Sequence, residues 1–154
     1  MHIEGSFTLS AGQERVYAAL LDPAVLAACI PGCQELVDTG NSVYTMKMKV
    51  ALAALSGDFV GKVAIEDPQP PVSYRMRIEG SGRIGILRGD GDLRLAEAGD
   101  GGTEVRYRGE VHVGGTIAAV GQRLLDTTAR MMIKRFFETL AARLAKGESQ
   151  AAGT

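Results

Sequence analysis

The chain has 154 residues, of which 45% are hydrophobic and 23% charged, a composition typical of one globular domain with a single core. Its 17 basic and 18 acidic residues give a net charge of -1, and only 5% of residues are aromatic, which argues against binding of nucleic acid. The start of the chain does not resemble a signal peptide, and no apolar run reaches the roughly 20 residues that a membrane span needs, so we expect a cytoplasmic protein.

The first third of the chain is predicted to form a strand and two helices. Residues 2–9 are typical of a strand, and Ser10 with Gln13 matches a capping box, which predicts a helix over 11–21. Pro23 favours the start of a second, short helix. We expect no metal and no cofactor, because the two cysteines and two histidines of the chain do not form a ligand set.

From residue 33 to residue 113 apolar and polar residues alternate. This pattern predicts six or seven antiparallel strands in one sheet that is apolar on one face. Leu93 and Leu95 do not continue the alternation of Ile84 and Ile86, which a β-bulge between them would explain. His112 falls on an outward position, while Asp90 and Asp92 cannot be placed because the register is uncertain there.

The stretch GSGRIG at 80–85 has the spacing of a dinucleotide-binding turn. Such a turn requires a helix that opens at its third glycine, whereas both flanks here alternate as strands do. The glycines therefore indicate a bent sheet that leaves room on its apolar face, and not a phosphate site.

Residues 116–145 return to helical periodicity. One apolar arc is predicted for this helix, formed by Ile117, Val120, Leu124, Leu125, Met131, Met132 and Phe136. Arg135 falls on the same arc, where it would pair with a carboxylate, extend to solvent or meet a polar group of a ligand. Ile133, Phe137 and Leu144 fall toward the polar side, where they would pack on the first two helices or dock a protein or a membrane.

The order of elements predicts an α+β fold in which a curved antiparallel sheet wraps around the long C-terminal helix. We expect one domain over 1–146 and a flexible tail over 147–154. Methionine and tyrosine dominate the inward positions, which suits the wall of a pocket for an apolar ligand, although the same side chains could simply fill a core. No secure catalytic acid, base or nucleophile is found, so no catalytic residue is assigned.

Five segments carry a resemblance to a known family: IPGCQEL at 30–36, the stretches 57–85 and 102–107, VGGTIAAVGQRLL at 113–125, and FF at 136–137. With them the chain resembles the carbon monoxide dehydrogenase CoxG family of the START-like, or SRPBCC, helix-grip superfamily. The resemblance covers about residues 1 to 145. It implies a curved sheet of six to seven strands around the C-terminal helix.

The resemblance also implies a function: non-catalytic binding of an apolar ligand, of quinone or lipid type, between sheet and helix. The protein would be an accessory to a carbon monoxide dehydrogenase-type molybdenum enzyme, in maturation or in coupling to quinone and membrane, with at most peripheral membrane contact at the inner face. Two alternatives are an assembly partner without a ligand and a cyclase- or hydratase-type enzyme. The predicted ligand-binding residues are Tyr44, Met46, Met48, Phe59, Tyr74, Met76, Ile78, Tyr107, Leu124, Met131, Arg135 and Phe136.

Overall fold

The structure is a computed structural model that describes residues 1–52 and 55–152, and the side chains of all of these except 52, 55 and 147–152. Within these residues seven strands form one antiparallel sheet in the spatial order β1-β7-β6-β5-β4-β3-β2. The strands are β1 (His2–Leu9), β2 (Cys33–Gly40), β3 (Val43–Leu52), β4 (Leu55–Gln69), β5 (Ser73–Gly82), β6 (Gly85–Glu97) and β7 (Thr103–Gly114).

Three α-helices complete the fold: α1 (Gln13–Leu21), α2 (Pro23–Cys29) and α3 (Gln122–Ala152). A short 3-10 segment at Gly115–Val120 joins β7 to α3. The predicted α+β architecture, with two short helices after the first strand and a long C-terminal helix, is confirmed. The flexibility expected for residues 147–154 stays a prediction.

The starts of the two short helices differ in their capping. Asp22 accepts a hydrogen bond from the backbone N–H of Ala24, 2.9 Å away, and Pro23 begins α2 as predicted. The capping box predicted for α1 is wrong, because Gly12 is the N-cap and provides no side-chain cap. The side chain of Gln13 instead donates to the carbonyl oxygen of Pro71 at 2.9 Å, which ties the start of α1 to the sheet.

The change of alternation near GSGRIG comes from a turn and not from a bulge. Gly82 pairs with Gly85 across a two-residue turn, and the ladder then runs without a shift to Ser73 and Arg94. Residues that pair directly across two strands point to the same face of the sheet. Each pair between β5 and β6 joins an even-numbered residue to an odd-numbered one, so the inward positions are even on β5 and odd on β6. The predicted bulge is therefore wrong: Leu93 and Leu95 are buried, whereas Ile86 lies on the convex face and is 52% exposed.

The predicted apolar arc of α3 is only partly correct: Ile117 and Leu125 are buried, whereas Leu124 and Met131 are exposed. The buried face of the helix consists of Leu125, Phe137, Leu140 and Leu144, and it is turned by roughly a third of a turn from the predicted arc. This face packs on α1 and on one end of the concave sheet, where the core includes Leu9, Val16, Tyr17, Tyr74, Leu93, Leu95 and Val105.

Phe137 fixes the rotation of α3. Its ring stacks on Phe7 of β1 with centroids 5.3 Å apart, and on Tyr107 of β7 with centroids 5.7 Å apart. Tyr107 can lie flat across β1 because Gly5 is directly opposite it and offers no side chain to collide with its ring. The alternative docking of Phe137 and Leu144 on a protein or membrane is therefore wrong, since both residues belong to the core.

Paired truncations on α3 test this rotation. We expect Phe137→Ala to lower the free energy of unfolding by about 3–5 kcal/mol, because it leaves a cavity between two rings. Met131→Ala, at a residue that is 40% exposed, should cost about 0.5 kcal/mol. Urea denaturation measures both values, and equal losses, or a larger loss for Met131→Ala, would contradict the observed rotation.

Candidate functional site

The concave face of the sheet has a packed end and an open end. At the packed end the inward side chains of Tyr74, Leu93, Leu95 and Val105 are buried beneath α1 and the C-terminal half of α3. At the open end, nearer the β3–β4 and β5–β6 turns, Val50 is buried but most inward side chains are only half-buried; they are Met48, Phe59, Ile78, Leu87 and Val113. The space between this open end and α3 is the candidate binding cleft.

The floor of the cleft has two glycines side by side. Gly61 and Gly80 pair directly across β4 and β5, and the row continues to Met46 on one side and Leu87 on the other. A Cβ atom at Gly80 would find the nearest side-chain atom, the Cβ of Leu87, only at 3.8 Å. The side chain of Met46 lies over Gly61, where a Cβ atom would be 3.0 Å from its Cγ atom, so the space without a side chain is the one above Gly80.

A second glycine pair accounts for the curvature beside the cleft. Gly91 of β6 and Gly109 of β7 lie opposite each other. A Cβ atom at Gly91 would lie 2.6 Å from the carbonyl oxygen of Arg108, and one at Gly109 would lie 2.5 Å from that of Asp90. Only glycine permits this close approach of the two strands, which bends the sheet toward the helix.

An open groove of about 510 Å³ lies between α3 and the corner that joins α2 to β2. The corner contributes residues 27–33, which are uncharged and mostly apolar, and α3 contributes Arg135, Glu138 and Thr139. This volume is in the range of small-molecule sites. Gly32 holds the corner against the sheet, since its carbonyl oxygen accepts from the backbone N–H of Lys49 at 2.8 Å.

Arg135 and Glu138 are the charged residues of the groove. Arg135 is exposed and forms no ion pair or hydrogen bond with any residue that the structure describes. The pairing with a carboxylate considered from the sequence is therefore not found within the described part of the chain. Its guanidinium is free to donate hydrogen bonds to solvent or to a bound molecule.

The two cysteines also line the groove, as free thiols. Cys29 is buried, and Cys33 is half-buried with its thiol 3.6 Å from the carbonyl oxygen of Glu35. Burial raises the pKa of both thiols, which keeps them protonated and poorly nucleophilic near neutral pH. No group of three or more potential metal-ligating side chains occurs among the described residues.

The tyrosine hydroxyls near the cleft serve the fold. Tyr44 donates to the carbonyl oxygen of Leu21 at 2.8 Å, and Tyr17 donates to that of Ser73 at 2.9 Å. Burial raises the pKa of Tyr44, Tyr17 and Tyr74, so these hydroxyls stay neutral. They hold α1 and its C-terminal turn on the sheet and offer no base for catalysis.

The twelve predicted ligand-binding residues fall into three groups. Tyr44, Met46, Tyr74, Met76, Tyr107 and Phe136 belong to the core or pack against its edge. Met48, Phe59 and Ile78 lie on the open end of the sheet, half-buried. Leu124, Met131 and Arg135 are exposed on α3. Of the third group Arg135 lines the groove at the α2–β2 corner, and contact of the twelve residues with a ligand stays a prediction.

The two carboxylates that the sequence left unplaced lie outside the cleft, and so does the histidine that it predicted to face outward. Asp90, Asp92 and His112 occupy outward positions on β6 and β7, and Asp92 pairs with Arg108 at 3.2 Å. Sequence reasoning missed Glu138, because the helix was predicted with a different face toward the sheet.

These features, a curved antiparallel sheet that holds a long C-terminal helix with an apolar cleft between them, define a START-like helix-grip protein. A conserved protein from Geobacillus kaustophilus is 32% identical, with 95% of this chain and 96% of that chain covered and a TM-score of 0.92. The model of the carbon monoxide dehydrogenase CoxG family matches residues 5–145, and the chain therefore belongs to this family.

More distant structures share the fold. A START superfamily protein from Mycobacterium smegmatis has a TM-score of 0.77 at 11% identity over 94% of this chain and 97% of that one. The Zhui aromatase/cyclase from Streptomyces has a TM-score of 0.72 at 16% identity over 99% and 98%. The comparison with curated proteins found no match. Among the described residues, no helix is both long and apolar enough to cross a membrane.

Alkylation of the thiols tests the environment of the groove. Because burial raises the pKa of Cys29 and Cys33, we expect both to react with iodoacetamide more slowly at pH 7.5 than in the urea-unfolded protein, and Cys33 to react before Cys29. The rates should rise as the pH increases toward these raised pKa values. Mass spectrometry with Cys29→Ser and Cys33→Ser variants assigns each rate, and native rates equal to the unfolded ones would contradict the structure.

Proposed function

We propose that the protein binds an elongated apolar molecule, of quinone or lipid type, in the cleft between the open end of the sheet and α3. The observation that carries this proposal is Gly80 on the concave face, where a Cβ atom would find no neighbour nearer than 3.8 Å, so that the sheet leaves space where an inward side chain would otherwise lie. Each methylene group buried there would contribute about 0.8 kcal/mol, so the length of apolar contact would set the affinity.

The proposed role is binding and not catalysis. Most inward positions of the described strands carry apolar side chains, glycine or tyrosine, while the central acids of β6 and the histidine of β7 face outward. Asp38 and Glu97 occupy inward positions near the ends of their strands, and both are exposed. A cyclase- or hydratase-type activity would need an acid or base beside the ligand, and Glu138 at the groove is the acid on α3 that could serve. The aromatase/cyclase neighbour supports that alternative only through its fold.

The family suggests the context of the binding. We propose that the protein serves a carbon monoxide dehydrogenase-type molybdenum enzyme, either in its maturation or in its coupling to quinone and membrane, from the cytoplasm or from peripheral contact with the inner membrane face. Membership of the CoxG family supports this proposal. A protein that shelters an apolar molecule in water would suit such a coupling step, because the ligand could not otherwise leave the membrane.

Filling the space above Gly80 tests the ligand site. Gly80→Val should place two methyl groups in the cleft without a clash at its Cβ atom, and we expect it to weaken binding of menaquinone or palmitate by about tenfold or more. The matched control is Ser81→Val, the next residue of β5, which is exposed on the convex face.

The readouts are the ligand carried through purification, detected by native mass spectrometry, and the melting temperature. Saturating ligand should raise the melting temperature of the wild type and of Ser81→Val by about 5–10 °C, but not that of Gly80→Val. A wild-type protein that carries no apolar molecule and shows no shift with menaquinone, ubiquinone or fatty acids would refute the proposed function.

Affinity purification tests the proposed partner. From native cells we expect the tagged protein to retain a large enzyme that contains molybdenum, as measured by elemental analysis of the eluate against an untagged strain. If the enzyme binds whether or not the ligand is present, the tagged Gly80→Val variant should retain the enzyme as well as the wild type does. An eluate without molybdenum under mild, low-salt conditions would count against the accessory role.

A further inference from the structure

Leu124, Met131 and Arg135 form one stripe along α3. Their spacings of seven and four residues bring them within a narrow arc of the helix, beside the buried Thr128. Leu124 and Met131 are 38% and 40% exposed, although both are large and apolar. At 1.5 Å per residue the stripe is roughly 16 Å long, and it begins near the open end of the sheet.

Arg135 ends this stripe within the groove. Opposite it lie Ile30 and Pro31 of the corner between α2 and β2, which present no charged group. Arg130 of the same helix pairs with Asp126 at 2.8 Å, whereas Arg135 has no such partner among the described residues, although Glu138 lines the same groove. The stripe therefore consists of an apolar track that leads to an unpaired cation.

We propose that the ligand lies along this stripe, with its apolar body on Leu124 and Met131 and a hydrogen-bond-accepting oxygen at one end held by Arg135. This inference rests on the proposed function, because it assigns an orientation and a polar contact to the ligand of the same cleft. The length of the track and the cation at its end are complementary to an amphipathic molecule that has an acceptor oxygen at one end.

The chemistry of Arg135 suits such an end group. A guanidinium offers five donors in a plane, and its hydrogen bonds to a carbonyl or carboxylate oxygen are strengthened by the positive charge and by apolar surroundings. A quinone carbonyl and a fatty-acid carboxylate share this acceptor chemistry. Glu138 in the same groove favours the quinone carbonyl over the fatty-acid carboxylate. Its own carboxylate repels an anionic end group but not a neutral carbonyl.

The test compares Arg135→Met, which keeps an apolar stem and removes the donors, with Arg123→Met on a different face of the same helix. Displacement of a fluorescent apolar dye measures the affinity of each protein for menaquinone, palmitate and hexadecane. We expect Arg135→Met to weaken binding of at least one oxygen-bearing probe by roughly tenfold or more and to leave hexadecane unchanged. Arg123→Met should alter none of the three.

The probes separate the outcomes. A loss confined to menaquinone assigns a carbonyl to Arg135, and a loss confined to palmitate assigns a carboxylate; Arg135→Lys should restore part of either loss. If the wild type binds the probes and Arg135→Met binds all of them equally well, the orientation proposed here is overturned while the proposed function stands. If the wild type binds none of the probes, both fall. Unchanged melting temperatures of the unliganded variants show that the fold is intact.

Discussion

The ring of Phe137 stacks on the rings of Phe7 and Tyr107, and these contacts determine which end of the concave face stays open. It attaches the C-terminal half of α3 to β1 and β7, so that this half of the helix closes one end of the concave sheet. The first half of α3 then lies toward the other end, where most inward side chains are only half-buried. A different rotation of the helix would bury Met131 and expose Phe137, and the cleft would lose its apolar wall.

The glycines of the sheet also distinguish the packed end of the concave face from its open end. Gly91 and Gly109 let two strands approach more closely than side chains permit, which bends the sheet around the helix. Gly61 and Gly80 lie further along, where the bent sheet faces the first half of α3. The curvature brings the sheet and the helix together at the packed end. At the open end Gly80 carries no side chain, so that space is left between the sheet and the helix.

The sequence predicted the strands, and inward residues such as Met48 and Phe59, because a half-buried sheet imposes a simple period of two. It failed where the answer depended on tertiary contacts. Alternation alone cannot distinguish the two-residue turn at 83–84 from a bulge, although this turn reverses which positions point inward. The apolar residues of α3 occupy more than half of its circumference, so periodicity could not select the buried face; the ring partners of Phe137 did. Glu138 was missed at the groove for the same reason, since it faces the corner at the α2–β2 junction only when α3 has its observed rotation.

The distribution of charge fits the proposed binding role. The convex face carries a network of ion pairs and charged hydrogen bonds, in which His2 contacts Glu110 at 2.6 Å. Hydrogen bonds that His2 makes to the carboxylates of Glu4 and Glu110 raise the pKa of His2, on the face away from the cleft. The groove beside α3 carries Arg135 and Glu138 as its charged residues, and Arg135 has no protein partner among the described residues. In the proposed function such a surface would select a ligand by shape and by one polar contact, which would suit carrying a molecule unchanged from one place to another.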